Sequence, residues 1–447
     1  MKRALLPAAA GLALLLALLP PTLSPYQLTG EEEPAGQLRG LWQWAFSAVR
    51  PQPRLAAEVP LSEASLSPFG MNTFLQLEVL PEVRAETLRL LSAAGFGYIR
   101  QEFPWEDIEI HAKGDFRDRR DPANGPAGID AWAKYDNIVA LAEQHDITIV
   151  ARLSNPPAWS RAAGDALGSK APPDDFEDYG DFVAAVVGRY RGRLTYFQLW
   201  NEPNIYDEWG EQPVDPEAFT RLLCTGYRRA KEANPAAVVL AGALAPTIAL
   251  DGRNLNDLIF LQRMYRASAG DCFDILSAQG YGLFSGPTDR RLRPLVINYP
   301  HLLYIRDLMV AFGDAHKPLW ISEMGWNSAP AGLPEIFGRV TEDQQARYAV
   351  EGFRRAQAEW PWASLINYWF LKRPGDGERD QPFYYFRVME PDFTPLPAWE
   401  ALAAYAGSPE AAAVAPRPAW LSAWDSLRPW LALLGGAALF FWLLGRL

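Results

Sequence analysis

The chain has 447 residues and a formal charge of −11, from 42 Lys and Arg against 53 Asp and Glu, which argues against nucleic acid as a main partner. Two cysteines and four scattered histidines give no basis for a disulfide scaffold or a His/Cys metal cage. At 49% hydrophobic and 21% charged residues, with mean hydropathy −0.13, the chain is neither disordered nor a multi-span membrane protein, and its length fits one α/β barrel of about 250 residues or more with additions.

In chain order, residues 1–25 open with Lys2 and Arg3, followed by a 16-residue apolar run, Ala4 to Leu19, closed by Pro20-Pro21. This is the pattern of a secretory signal peptide or, for want of a clean small-residue cleavage site, an uncleaved signal anchor. Residues 26–65 form a preamble carrying Glu31, Glu32 and Glu33. From 66 to 406, short apolar runs alternate with amphipathic stretches. Strands are predicted at 69–76, 97–103, 147–153, 194–200, 237–243, 274–280, 318–323 and 364–370. Helices are predicted at 83–94, 129–144, 182–190, 216–233, 255–267, 301–312, 343–359 and 397–405. Residues 407–428 read as an Ala/Pro-rich linker, and 429–446 as a C-terminal transmembrane helix with Trp430 and Trp442 near its borders. A helix packed on the soluble part is the alternative for that last segment. Lys2, Arg3 and Arg446 on the inside would leave everything between the two ends outside the cytoplasm, tethered to the membrane by one or both of them, or secreted if processed.

Eight strand–helix units in sequence predict a parallel sheet closed as a (β/α)₈ barrel. A doubly wound open sheet is the rival topology, but no glycine-rich loop of the dinucleotide-binding kind follows the first strand.

In such a barrel the chemistry sits where strands end at the C-terminal face. Strand four ends Gln198-Leu199-Trp200-Asn201-Glu202-Pro203-Asn204, and strand seven ends Trp320-Ile321-Ser322-Glu323-Met324-Gly325-Trp326. Either glutamate alone is an ordinary loop carboxylate or helix cap. Two in matching contexts, among aromatics and without metal ligands, are what glycosidic bond cleavage requires: one carboxyl held protonated as the acid, the other ionised.

These two segments resemble the acid/base and nucleophile motifs of the clan A retaining glycoside hydrolases with (β/α)₈ barrels. The resemblance is closest to glycoside hydrolase family 39, including its bacterial exopolysaccharide-cleaving members, with the family 5 cellulases as neighbours. It covers nearly the whole array. Arg100-Gln101-Glu102-Phe103-Pro104-Trp105, then Ile108-Glu109, is similar to the family's second-strand segment; Asn155-Pro156-Pro157-Ala158-Trp159 to its third; and Phe386 to Ala401 to its closing loop and helix. The resemblance implies Glu202 as general acid/base and Glu323 as nucleophile, with no metal or other cofactor. It implies that Asn201 bonds the sugar 2-hydroxyl, that Arg100 keeps the nucleophile charged, that Tyr281 donates to Glu323, and that Trp369 forms a platform under the −1 sugar. One departure stands out: the clan often carries His-x-Tyr at the end of strand six, and this chain has Gln279-Gly280-Tyr281. Gln279 can bond a hydroxyl but cannot titrate, so substrate contacts are affected more than the two-step mechanism.

Trp105, Trp159 and Trp326 follow strands and are candidates for sugar stacking or, equally, loop packing. Cys224 and Cys272 read as two buried free thiols rather than a pair, and the four histidines as surface or helix-end residues. Asp289-Arg290-Arg291 and Asp376 to Asp380 read as solvated loop charges. The implied activity is a retaining glycosidase acting on a poly- or oligosaccharide. A non-catalytic glycan-binding barrel of polysaccharide export and a transglycosylase are the alternatives.

Overall fold

The computed structural model describes residues 2–18, 23–56, 67–416 and 418–445. Eight parallel strands form one sheet: β1 Phe69–Thr73, β2 Tyr98–Pro104, β3 Thr148–Ser154, β4 Tyr196–Leu199, β5 Val238–Ala241, β6 Leu276–Gln279, β7 Leu319–Met324 and β8 Ala363–Tyr368. Their order in the sheet is β5-β4-β3-β2-β1-β8-β7-β6. Parallel bridges Leu240↔Ile275 and Leu244↔Ala278 join the two edges and close the barrel. The helices are α1 Lys2–Leu18, α2 Pro25–Thr29, α3 Pro34–Ala48, α4 Pro81–Ala93, α5 Ala133–Gln144, α6 Phe176–Arg189, α7 Pro216–Ala233, α8 Asp257–Arg266, α9 Leu302–Ala311, α10 Glu342–Glu359, α11 Pro397–Ala406, α12 Pro409–Ala412 and α13 Ala419–Leu444. One of α4 to α11 follows each strand, which is the (β/α)₈ arrangement expected from the alternating pattern.

The strands are apolar on both faces because both are buried. Outward residues such as Ile99, Phe103, Phe197 and Ile321 pack under the helices. Inward, Tyr98, Val150, Tyr196, Leu240, Ile275, Trp320 and Leu365 plug the barrel. On β1 the inward position is Gly70, where a Cβ would stand 2.3 Å from the Asn367 amide oxygen. Glycine is what lets β8 send that side chain inward.

Helix starts follow local chemistry. Asp215 caps α7 with Pro216 at its first turn, and Thr341 forms a capping box with Gln344 at α10. Where boundaries differ from the sequence pattern, a competing interaction explains it. Ile129–Asp130 pairs with Arg117–Asp118 in a small hairpin, so α5 starts only at Ala133. Asp175 caps α6 earlier than its apolar periodicity suggested, and α13 begins at Ala419 and continues through Pro429, so it takes in much of the segment read as linker.

The preamble folds as α2 and α3 and docks on the loop after β6. Thr288 and Arg291 donate to the Tyr26 and Thr29 carbonyls, at 2.9 and 2.8 Å, and Arg291 also pairs with Glu31. Asp289 and Arg291, expected as solvated loop charges, are buried and bonded to each other because this docking covers them. The other segment, Asp376 to Asp380, is largely exposed. His301 stands at the start of α9, but it is buried and bonded to Asp257 at 2.7 Å.

Helices α1 and α13 pack on each other, and α3 touches both. A Cβ on Gly435 would lie 2.9 Å from the Ala10 carbonyl, so glycine allows the close approach.

Cys224 and Cys272, expected as free thiols, are joined in a disulfide. The sequence left their proximity open; barrel closure supplies it, because β4, β5 and β6 are neighbours and bring α7 beside the turn that precedes β6. The bond closes a 48-residue separation, and a loop of that size stabilises by about 2–4 kcal/mol. Cys224→Ser with Cys272→Ser should lower the unfolding free energy by about that amount in denaturant titrations, and an unchanged midpoint would show that the bond contributes nothing.

Candidate active site

Strand alternation sends Tyr98, Arg100 and Glu102 of β2 into the barrel, since Ile99 and Phe103 face the helices. Arg100 is 3% exposed, and its guanidinium donates to four side chains. Nε reaches Gln198 Oε1 at 2.8 Å, Nη2 reaches Asn201 Oδ1 at 2.7 Å, and Nη1 reaches Asn72 Oδ1 at 3.0 Å and Glu323 Oε1 at 2.8 Å. A buried guanidinium is tolerable only with acceptors on most of its donors and a counter-charge, and this one has both.

Glu323 should by alternation face the helices with Ile321. The β6–β7 register shifts between Ala278↔Ile321 and Gln279↔Glu323, and this irregularity re-aims the carboxylate inward. Its other oxygen accepts from the Tyr281 hydroxyl at 2.5 Å. Glu202 follows β4 on a backbone with two positive φ values, 73° at Trp200 and 44° at Glu202. Such non-glycine conformations persist only when neighbours enforce them. Here Trp200 N donates to Leu153 O at 2.9 Å and Glu202 N to Ala243 O at 2.7 Å.

Gln279 Nε2 donates to Glu202 Oε1 at 3.1 Å. Gln279 and Tyr281, two residues apart at the end of β6, therefore hold one carboxyl group each. Burial, then the charges of Glu323 and Glu208, push the Glu202 carboxyl from 4.5 up to about 8, against the Gln279 hydrogen bond and the Arg100 charge. Burial and then the Glu323 and Glu202 charges push the Tyr281 phenol well above its ordinary value, so it stays a donor.

Trp369, just past β8, is partly exposed and meets Phe74 edge-on at 5.6 Å. Trp159 keeps some exposure and donates its indole N–H to the Glu109 carbonyl. The other two stacking candidates are core residues. Trp105 is fully buried against Phe182, with its N–H on Glu109, and Trp326 is fully buried with its N–H on the Ser285 carbonyl. Neither leaves a ring face for a sugar, because each packs under the helix layer rather than over the barrel mouth.

The structure adds Asn72 and Gln198, which orient Arg100, and an ion pair between Glu102 and Arg152 supported by Gln76. Their signal in the sequence is a polar residue at an inward position of an otherwise apolar strand, as in Tyr196-Phe197-Gln198-Leu199.

No family model matches the chain, and no curated protein matches it. Solved structures do. A family 39 glycoside hydrolase from Bacteroides cellulosilyticus WH2 is 21% identical, with TM-score 0.54 over 77% of this chain and 64% of that one. A GH39 enzyme from Xanthomonas axonopodis pv. citri is 19% identical, with TM-score 0.55 over 79% and 69%. A monomeric β-xylosidase from Caulobacter crescentus CB15 is 19% identical, with TM-score 0.52 over 76% and 67%. The chain thus spans only about two thirds of the length of these proteins. At such identities the likeness is one of architecture: this chain has the (β/α)₈ barrel found in family 39 glycoside hydrolases of clan A.

Proposed function

We propose that this protein is a retaining O-glycoside hydrolase acting on a poly- or oligosaccharide outside the cytoplasm. The observation that carries the reading is the pairing of two carboxyl groups in opposed environments at the ends of β4 and β7. Glu202 is held protonated near neutrality, and Glu323 is ion-paired to Arg100. The barrel likeness to family 39 enzymes supports the same reading.

The chemistry follows double displacement. A Glu323 oxygen attacks the anomeric carbon as the glycosidic C–O bond breaks, and the Glu202 proton passes to the leaving oxygen. Tyr281 and Arg100 hold the attacking carboxylate in place. Glu202, now ionised, takes a proton from water, whose oxygen attacks the same carbon and releases Glu323. Asn201 is the donor for the 2-hydroxyl, and Trp369 the apolar platform under the −1 sugar. Gln279 Oε1 is buried and accepts no hydrogen bond from the described residues, which suits it to a substrate hydroxyl. Retention calls for carboxyl groups about 5–5.5 Å apart.

Two further observations support an extracytoplasmic, membrane-tethered protein. The Cys224–Cys272 disulfide fits an oxidising compartment. Leu427–Leu444 of α13 is long and apolar enough to span a bilayer, with α1 packed beside it as the signal-anchor helix.

The test is digestion of a glycan panel by the detergent-solubilised full chain, with product length and anomeric configuration read by NMR. Retained configuration at the new reducing end is expected. Inversion would end the double-displacement reading, and no hydrolysis of any glycan would favour a binding barrel.

The pH profile carries a second prediction. Hydrolysis should fall as pH rises through about 8, where Glu202 loses its proton. Because its folded value lies above 4.5, ionisation of Glu202 opposes folding progressively between about 4.5 and 8. Glu202→Gln should therefore raise the melting temperature at pH 8 but not at pH 4, while hydrolysis is lost. A stability gain of equal size at both pH values would contradict the assignment.

A further inference from the structure

Helix α3 has two different faces. Gly36, Gly40, Trp44, Ser47 and Ala48 are buried against the rest of the protein. A Cβ on Gly40 would stand 2.7 Å from the Thr29 side chain, so this face is tightly seated. On the other side Leu38, Trp42 and Phe46 stand at i, i+4 and i+8. They form one stripe that is 73%, 68% and 50% exposed, with the Trp42 and Phe46 rings 4.9 Å apart. A soluble surface rarely lines up three large apolar residues on one helix without a partner.

The position of α3 says what that partner is. Leu23, just past α1, packs into the cluster of Leu28, Trp44 and Ala48. The Arg428 guanidinium, one residue into the apolar stretch of α13, lies 5.7 Å from the Trp44 ring centroid. The chain therefore leaves α1 and enters the apolar part of α13 at the same level, and α3 lies at that level. Trp42 and Arg428 there are residues of the kind found at a membrane–water boundary.

We propose that α3 is an interfacial helix whose Leu38–Trp42–Phe46 stripe is seated in the outer leaflet of the membrane that α13 crosses, an inference that rests on the tethered reading above. Helix α13, which α3 touches, itself exposes large apolar residues, including Trp430, Leu433 and Leu434. Because α2 and α3 are bonded to the loop after β6, which begins at Gly280 and carries Tyr281, the barrel is held by the rim of its own cleft. The glycan would then be cleaved close to the bilayer surface.

The test uses the full chain in phosphatidylcholine nanodiscs, with single introduced cysteines carrying a fluorophore, since the native pair is disulfide-bonded. Trp42→Cys reports the stripe, Leu434→Cys the span and Asp121→Cys the exposed hairpin. Nitroxide-bearing lipid should quench positions 42 and 434 several-fold more than 121, and iodide in the buffer should do the reverse. Quenching of 434 by lipid but of 42 by iodide would overturn the interfacial helix and leave the tether standing. Iodide quenching of 434 would remove the tether and the interfacial helix together. Protection of 42 from both quenchers would mean that protein covers the stripe, which also overturns the proposal.

Discussion

Glu323→Gln is expected to lower hydrolysis by about 10⁴-fold or more, the usual consequence of removing a covalent nucleophile from a site whose members act as a unit. Gln keeps the shape of the side chain: its one amide oxygen can accept from Arg100, and its amide NH2 can donate to the Tyr281 hydroxyl oxygen, so the cleft should stay assembled and continue to bind glycan. Loss of hydrolysis with binding intact, measured by isothermal titration on the same oligosaccharide that the wild type cleaves, is the result that assigns the role. If the variant keeps within about tenfold of wild-type turnover, Glu323 does not form the glycosyl-enzyme, since solvation or binding differences alone account for changes of that size. The substitution also removes a charge that raises Glu202. The Glu202 carboxyl should therefore titrate lower in the variant, which NMR of the labelled side chain can follow.

Arg100→Met is the expected counterpart on stability. The guanidinium is buried and touches residues from β1, the β4 end and β7 at once. Removing it leaves Glu323 charged and unpaired in a low-dielectric interior, along with three amide oxygens short of a donor. Breaking one side of a buried pair costs about 3–5 kcal/mol, so the unfolding midpoint should drop sharply and activity with it. Adding Glu323→Gln to Arg100→Met should recover part of the lost stability, because the stranded charge is then gone. Two losses that simply add would mean that the pair is not energetically coupled. Arg100→Lys should fall between, as it restores a charge but cannot reach four acceptors.

Much of this architecture can be read from residue order. Eight apolar runs separated by amphipathic helices leave few alternatives to a closed parallel barrel, and the helix Pro216–Ala233 follows directly from Asp215 and its apolar periodicity. The sequence singles out Glu202 and Glu323 because each closes a strand in a Trp-rich context, and the fold brings both into one hydrogen-bonded cluster. What the sequence does not disclose is register. The irregularity that turns Glu323 inward lies in how β7 pairs with β6 and β8, and no local residue marks it. Trp105 and Trp326 resemble cleft residues in sequence because they too follow strands, but strand ends alternate between the mouth of the barrel and the layer under the helices. The cysteine pair was illegible for a related reason: its two halves are far apart along the chain and meet only after the sheet has closed. The preamble carries too little periodicity to announce that it would dock on the β6 loop and bury Asp289 and Arg291.

The closed sheet is not uniform around its circumference. Seven of its eight strand contacts are ladders, whereas β5 and β6 meet through isolated bridges and a few backbone hydrogen bonds. The cysteine bond acts there as a clasp, tying the helix that leads into β5 to the turn that leads into β6. Past that turn, β6 ends in Gln279, with Tyr281 two residues on, the two side chains that hold the Glu202 and Glu323 carboxyl groups. Thiol chemistry on the outside of the barrel is thus linked through a single strand to the alignment of the carboxyl groups at its mouth, and a reduced molecule would have a looser grip on both.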